Sequence, residues 1–318
     1  GYDALDRPLC TASGPANIFA WVCILVPSGL YLGMAFPYYW AVVHPILPLF
    51  AMFFFLLTVG CLLGACLADP GIIPRREVIL ATGSAERISE ELGYDVLGKF
   101  SDECGTDGTP RVTIPPELRA QGYRWCSTCQ IVRPPRASHC ADCDCCVLRF
   151  DHHCPFINNC VGQRNYLFFF GFTSSVCCLA ILVIPSLIWF AALSLGMAPM
   201  TQDKDKISFK DVPSDGVMQG VLITVGVAGG GTALFVLALW AYHVFLICSG
   251  LTTKEHLKGR KSQDYLPGLG DDLTICGRRG PSLFNPRALV KAVRTRAGMD
   301  RPAGRWRLKE ADAKHCEA

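Results

Sequence analysis

The sequence predicts an all-α polytopic membrane protein, with four transmembrane helices and a cysteine- and histidine-rich module between the second and the third. Three observations lead there. Hydrophobic residues make up 51% of the 318-residue chain, and the mean hydropathy is +0.30. No Asp, Glu, Lys or Arg occurs from Pro8 to Ala68, from Asn165 to Gln202, or from Gly216 to Thr253. Between the first two of these stretches, eight cysteines and three histidines fall within the forty residues from Cys126 to Asn165.

A helix needs about 20 apolar residues to cross a bilayer. The first charge-free stretch holds two crossings, broken near Pro37–Pro48, and the others hold one each. The expected spans are 17–37, 46–67, 168–192 and 221–247. Soluble cores rarely run this long without charge. The first apolar run has no basic n-region and no small-residue cleavage site, so it is not read as a secretory signal peptide. Residues 1–16 are then an N-terminal segment and 17–67 the first two helices. Residues 68–121 are a linker, 122–165 the module, 166–250 the last two helices and 251–318 a C-terminal tail.

Orientation follows from Lys and Arg in the loops. The segment Asp69–Arg164 holds eleven and the chain after Thr253 holds fifteen, against three in 193–216 and only Arg7 ahead of the first helix. Four crossings put both termini on the side of the module, and that side is expected to be the cytosol. In a reducing compartment a dense Cys/His cluster reads as metal binding or catalysis rather than as a disulfide framework. Six further cysteines, Cys23, Cys61, Cys66, Cys177, Cys178 and Cys248, fall in apolar spans and read as small apolar side chains.

Along the chain, Asp69-Pro70-Gly71 is a turn directly after the second span. Ile79–Leu97 has room for one short amphipathic helix, and the rest of the linker reads as mobile and without repeats. The module is too short to have a sizeable apolar core, so metal is expected to organise it. Pro185 is expected to kink the third helix. Gly226, Gly229, Gly230 and Gly231 suit close helix packing in the fourth. His243 is either a functional intramembrane group or a neutral, hydrogen-bonded one. Thr252-Thr253-Lys254-Glu255 is a helix cap or interfacial turn. The tail from Arg287 to Lys309 is basic and suits an anionic membrane surface.

The module reads Cys-x2-Cys-x9-His-Cys-x2-Cys-x2-Cys-x4-Asp-His-His-Cys-x5-Cys-x4-Asn. Two closed tetrahedral zinc sites need eight ligands, so three of the eleven Cys and His are left over. Spacing alone does not fix the pairing. Successive side chains in an extended segment point to opposite sides, so His152 and His153 cannot easily face one metal. The one that faces away can meet Cys154. Imidazole and thiol then form an activated nucleophile, with Asp151 orienting the imidazole as the third member of a triad does. A nucleophilic cysteine at a membrane interface suits a lipid-like substrate, whose chain gains about 0.8 kcal/mol per buried methylene. Arg133, Arg136, Arg149 and Arg164 lie near enough in sequence to meet an anionic headgroup or a nucleotide phosphate. The window has no basic helix, which argues against a nucleic-acid partner. A membrane-anchored zinc module that only binds a partner is the competing reading.

These residues resemble the DHHC-type protein S-acyltransferases (palmitoyltransferases). The resemblance rests on the pattern from Cys126 to Asn165, on Asp-Pro-Gly after the second span and on Thr-Thr-x-Glu after the fourth. It covers roughly residues 17–255. It implies that Cys154 takes a long-chain acyl group from acyl-CoA as co-substrate and passes it to membrane-proximal cysteines of target proteins. His152 would then be the general base, Asp151 its orienting partner, and Thr253 the support of that Asp. The implied ligand sets of two structural Zn²⁺ ions are Cys126, Cys129, His139 and Cys146, and Cys140, Cys143, His153 and Cys160. Arg133, Arg136, Thr253 and Phe156 are the residues expected around the co-substrate. Cys145 is left without a role. Phe156 stands where the family usually has Trp, and the family's C-terminal aromatic-Asn motif is only faintly suggested at Phe284-Asn285. The layout is similar to the Ras-acylating subgroup, which implies a small accessory subunit. The implied location is the ER, Golgi or plasma membrane.

Overall fold

A computed structural model describes residues 14–104, 110–195, Met197 and 216–258. The basic stretch 287–309 and Phe284-Asn285 lie outside these residues. Within them, four helices are long and apolar enough to cross a membrane: Gly14–Val43, Ile46–Leu67, Tyr166–Leu193 and Gln219–Ser249. The third helix packs against the second and the fourth, and the first lies against the fourth.

The first helix does not end at Pro37 as expected. It continues to Val43 through π-helical turns at Tyr31–Ala35 and Tyr39–Val43, with Pro37 in the short α-helical piece between them. Proline lacks the N–H that an α-helix interior requires, and wider turns accommodate the interruption. The break falls at His44, within the Pro37–Pro48 stretch where it was expected, and its extended backbone stops the helix. Tyr39 Oη donates to the Ser186 carbonyl at 2.9 Å and ties this half of the first helix to the third.

The glycines expected to bring helices together do so only in part. A Cβ on Gly226 or Gly229 would make ordinary contacts with Ile188 or Ile184, and Gly230 and Gly231 face open space. The close approaches lie between the second and third helices, where a Cβ on Gly64 would meet the Phe168 ring at 2.5 Å and one on Gly171 would meet Cys61 Sγ at 3.0 Å.

The stretch read as a mobile linker is structured where it is described. Two short helices, Arg76–Ala81 and Ala85–Leu92, replace the single helix expected over 79–97, because Gly83 turns the chain at φ +59°. Strand β1 (Ile72–Ile73) precedes them, and the hairpin β2 (Lys99–Cys104) with β3 (Pro110–Thr113) follows. Ile79, Ile88, Leu92, Tyr94 and Val96 join Ile131, Val132, Ala137 and Leu148 of the module in one buried cluster. The module therefore has an apolar core after all, and the linker supplies about half of it.

The module itself is three antiparallel hairpins: β4 (Arg124–Cys126) with β5 (Ile131–Arg133), β6 (Ser138–Cys140) with β7 (Cys145–Val147), and β8 (His152–Cys154) with β9 (Asn159–Val161). Strand β1 pairs with β7, which completes a three-stranded sheet. The hairpins recur every 14 residues in the same register: Cys126 faces Ile131, Cys140 faces Cys145, and Cys154 faces Asn159. Each turns through a residue with positive φ, namely Gln130, Asp144 and Asn158. Asx residues tolerate that conformation.

Polar contacts fix the module to the membrane helices. Asn159 Nδ2 reaches the carbonyls of Ala65, Cys66 and Ala68 at 3.2, 3.2 and 3.0 Å. These are groups that the end of the second helix cannot satisfy by itself. Asp69 Oδ1 accepts from the N–H of Gly71 and Ile72 at 2.9 and 2.8 Å and closes the Asp-Pro-Gly turn. Gly71 O then accepts from Leu148 N at 2.8 Å. Gly162 is pressed against this turn, and a Cβ there would collide with Pro70 O and lie 2.5 Å from Val147 Cγ1. Gly162→Ala should therefore cost about 1–3 kcal/mol through overpacking, read as a lower unfolding temperature of detergent-solubilised protein. Gly60→Ala, where a Cβ meets nothing within 4 Å, should leave that temperature unchanged.

Candidate active site and metal centres

Two groups of four side chains converge within the hairpins. Cys126, Cys129, His139 and Cys146 bring their ligand atoms within 4.8 Å of one another, and so do Cys140, Cys143, His153 and Cys160. In both groups the Cys-x2-Cys turn of one hairpin meets a His and a Cys of the next. Cys129 Sγ lies 3.3 Å from His139 Nδ1, Cys143 Sγ 3.3 Å from His153 Nδ1, and Cys160 Sγ 3.4 Å from Cys143 Sγ. A tetrahedron with metal–ligand bonds of about 2.0–2.3 Å has edges of roughly 3.5–3.8 Å, so three sulfurs and one imidazole fit a closed zinc site in both places. Asp144 stands 3.6 Å from His139 Nε2. A carboxylate on the far nitrogen is the usual orienting partner of a metal-binding histidine.

Cys145 joins neither group. Its register places it opposite Cys140, where the first hairpin has Ile131 and the third has Asn159. It packs against the small cluster of Cys140, Val147 and Cys160, which is the place of a small apolar side chain.

Strand β8 sends its two histidines to opposite faces. His153 turns to Cys143, and His152 turns to Asp151, with Nδ1 2.7 Å from Oδ2. Asp151 is 2% exposed. Thr253, at the end of the fourth helix, donates its hydroxyl to Oδ2 at 2.5 Å and its N–H to Oδ1 at 3.1 Å. The carboxylate is thus held from two sides. Burial alone would push the His152 imidazole down, but the hydrogen bonds and charges of Asp151 and Cys154 outweigh it and hold its pKa at about 9. Burial would likewise raise the Cys154 thiol, and here His152 outweighs it, helped by the N–H groups of Ile157 and Phe156, so the thiol lies below its ordinary range. In the first hairpin the corresponding N–H, that of Cys129, donates to Cys126 Sγ at 3.4 Å. The sulfur of Cys154 is therefore cradled as the sulfur of a metal knuckle is, with Ile157 standing where the other two hairpins have a second cysteine.

Cys154 is buried and stands at one end of an apolar cavity between the first, third and fourth helices, with Phe156, Ile24, Phe172, Val183 and Val236 among its walls. Phe156 packs on Phe235 with ring centroids 6.3 Å apart. Asn17 of the first helix donates to the Phe156 carbonyl at 2.7 Å.

The other residues expected around a co-substrate are placed differently. Arg136 is buried in a bidentate pair with Glu255, with Nε to Oε1 and Nη2 to Oε2 both at 2.6 Å, and Nη2 also donates to Gly250 O at 2.9 Å. Its charge serves the joint between the module and the fourth helix. Glu255 in turn accepts from Thr252 N at 2.8 Å, and Thr252 Oγ1 accepts from Glu255 N at 3.2 Å, a reciprocal capping box. Thr253 is engaged with Asp151. Arg133 Nη1 donates to Ser138 Oγ at 3.3 Å, and Arg164 pairs with Asp69 at 2.5 Å and Glu91 at 3.1 Å.

Sequence reasoning named His243 as a functional or hydrogen-bonded group, but not the residues it meets. His243 is 1% exposed, and its Nδ1 lies 3.2 Å from Tyr166 Oη. It shares with Asp151 and His152 a third convergence of ligand atoms within 4.8 Å. Asp151 bonds to His152 and Thr253, and His243 to Tyr166, so each of the three side chains already has a protein partner. The Arg136–Glu255 pair spans 119 residues and Asn159 spans more than ninety to reach the second helix. Only the 14-residue period of the hairpins was available in the sequence as a signal for the module's geometry.

The DHHC palmitoyltransferase family model matches residues 120–260. Palmitoyltransferase erf2 of Emericella nidulans is 31% identical over 247 residues, covering 78% of this chain and 38% of the relative. Human palmitoyltransferase ZDHHC14 is 32% identical over 285 residues, 85% of this chain and 54% of the relative. Rat palmitoyltransferase ZDHHC18 is 31% identical over 302 residues, 88% of this chain and 71% of its own length. The chain spans between about a third and a half of the first two relatives.

The Arg136–Glu255 pair makes a definite prediction. Arg136→Ala leaves a buried carboxylate without its partner and should destabilise the protein by about 3–5 kcal/mol, whereas a paired apolar replacement such as Arg136→Met with Glu255→Leu should recover much of that loss. Unfolding midpoints of the three proteins check it.

Proposed function

Starting from the fact that the chain belongs to the DHHC palmitoyltransferase family, we propose that this integral membrane protein is a protein S-acyltransferase that carries a long-chain acyl group on Cys154. The observation that supports this most directly is the position of the Cys154 sulfur, whose thiol the neighbouring His152 holds below its ordinary range and which stands at the end of an apolar cavity between membrane helices. An acyl chain in that cavity gains about 0.8 kcal/mol per buried methylene, and its thioester end then reaches the sulfur.

The proposed reaction has two halves. The Cys154 thiolate attacks the carbonyl carbon of acyl-CoA, and a new carbon–sulfur bond forms. The bond to the CoA sulfur breaks, and the departing thiolate takes the proton held on His152. In the second half a cysteine thiol of the target protein gives its proton to His152 and attacks the acyl-enzyme, and Cys154 leaves as thiolate. Asp151, fixed by Thr253, keeps the His152 imidazole aligned and offsets its positive charge in both halves. The two Cys3His sets would hold zinc as closed structural centres, organising the hairpins that carry Asp151, His152 and Cys154. The excess of Lys and Arg in the module and the C-terminal chain supports a cytosolic active site, where membrane-proximal cysteines of target proteins are accessible. The ER, Golgi or plasma membrane is the proposed location. The resemblance of the layout to the Ras-acylating subgroup supports a small accessory subunit, and acyl-CoA is the proposed co-substrate.

Purified protein incubated with labelled palmitoyl-CoA should acquire hydroxylamine-labile label, and Cys154→Ser should acquire none. Label that persists in Cys154→Ser would refute the assignment. His152→Ala should keep two zinc ions per chain yet form the acyl-enzyme about 10²–10⁴-fold more slowly, the usual contribution of a general base. Cys126→Ala and His139→Ala should lose zinc and folded yield, as metal-dependent modules do, and full zinc occupancy in either would contradict the ligand sets.

A further inference from the structure

We propose that His243 is a positioning residue for acyl transfer: tethered by Tyr166, its ring walls the His152 imidazole and keeps it aligned between Asp151 and Cys154. The inference rests on the acyl-enzyme reading above and extends it into the fourth membrane helix.

His243 sits in a helix with no charged side chain from Gly216 to Ser249, and it is buried while much of that helix is exposed. Burying an imidazole among apolar groups is costly unless it is hydrogen-bonded, and Tyr166 Oη at 3.2 Å supplies the bond. Tyr166 is the first residue of the third helix and follows the module directly. The tether therefore joins the fourth helix to the root of the third. It fixes the plane of the His243 ring, which an apolar filler would leave to packing alone.

That ring faces the reacting group. The centroids of His243 and His152 are 5.8 Å apart at an interplanar angle of 39°. Phe169 presents its edge to both, at 4.9 Å from His243 and 5.4 Å from His152. His152 is thus enclosed by Asp151, Cys154, Phe169 and His243. Its Nδ1 faces Asp151 and the Cys154 sulfur is its other neighbour, so His243 is no relay for its proton. What His243 supplies is position. Without its ring, space opens beside His152 and the imidazole can swing away from the sulfur. Displacements of about 1 Å at a reacting centre can cost up to about 10²-fold in rate.

The test compares the full-length protein with three variants in detergent. Single-turnover acyl-enzyme formation is followed with labelled palmitoyl-CoA, and the alkylation of Cys154 by iodoacetamide is followed by peptide mass. His243→Ala should lower the acylation rate at saturating palmitoyl-CoA by about 10-fold or more and slow Cys154 alkylation in parallel. The half-saturating concentration and the zinc content should stay near wild type. Tyr166→Phe, which removes only the tether, should act in the same direction by roughly 3-fold, as a smaller displacement would. Trp240→Phe is the packing control: it deletes a bond of the same kind between the same two helices, Nε1 to Ser174 Oγ at 3.0 Å, and should react as wild type does. If the wild type takes no hydroxylamine-labile label, the acyl-enzyme reading itself fails. If the wild type is labelled and both His243→Ala and Tyr166→Phe match it, the positioning role is overturned. It is also overturned if the losses appear only as weaker palmitoyl-CoA saturation, or if Trp240→Phe shares them. Should His243→Ala fail to fold, Tyr166→Phe decides.

Discussion

The carboxylate of Asp151 is the joint on which the site depends. It is almost wholly buried and accepts three hydrogen bonds, one from His152 in its own module and two from Thr253 at the end of the fourth membrane helix. A buried carboxylate with these partners stays charged, and its charge is what makes a buried imidazole tolerable as a cation. The two bonds from Thr253 tie the small hairpin module to the chain that leaves the fourth membrane helix. Arg136 and Glu255 brace that joint with a largely buried ion pair. Chemistry and architecture therefore share their contacts, and little in this region can move without disturbing the sulfur of Cys154.

The membrane plan was legible because lipid imposes a simple rule: charge is excluded over the length of a crossing. The four crossings are where the charge-free stretches lie, and the expected spans 168–192 and 221–247 are short by only one or two residues at each end. The continuation past Pro37 was not legible, since a proline is a stop signal unless neighbouring turns widen to absorb it. The linker was misjudged for another reason. Ile79, Ile88 and Leu92 have the spacing of a weak amphipathic helix, and what orders them is a surface some forty residues further on that no local pattern reveals.

The site was half legible. Ligand types and the surplus of three were plain from the count, and strand alternation separated His152 from His153. The pairing of cysteines was not, because each centre takes its third and fourth ligands from the following hairpin. The partner of Arg136 was not legible either. The residue was expected to meet an anionic headgroup, a phosphate or the co-substrate, and in the structure it pairs with Glu255, which lies beyond two membrane helices. His243 carried a signal, an ionisable group in an apolar helix, without indicating which group it faced.

The borrowing between successive hairpins sets an order of assembly. The first centre needs the second hairpin before it can close, and the second centre needs the third. A chain emerging from its N-terminus therefore leaves sulfur ligands open at every stage until Cys160 has been made. The third hairpin has no successor. Where a fourth would begin, the chain enters the membrane at Tyr166, and the last supports of Asp151 arrive only after two further crossings. The thiol of Cys154 is thus the last sulfur of the module to find its surroundings, which are complete only once the chain has passed the fourth helix and reached Thr253.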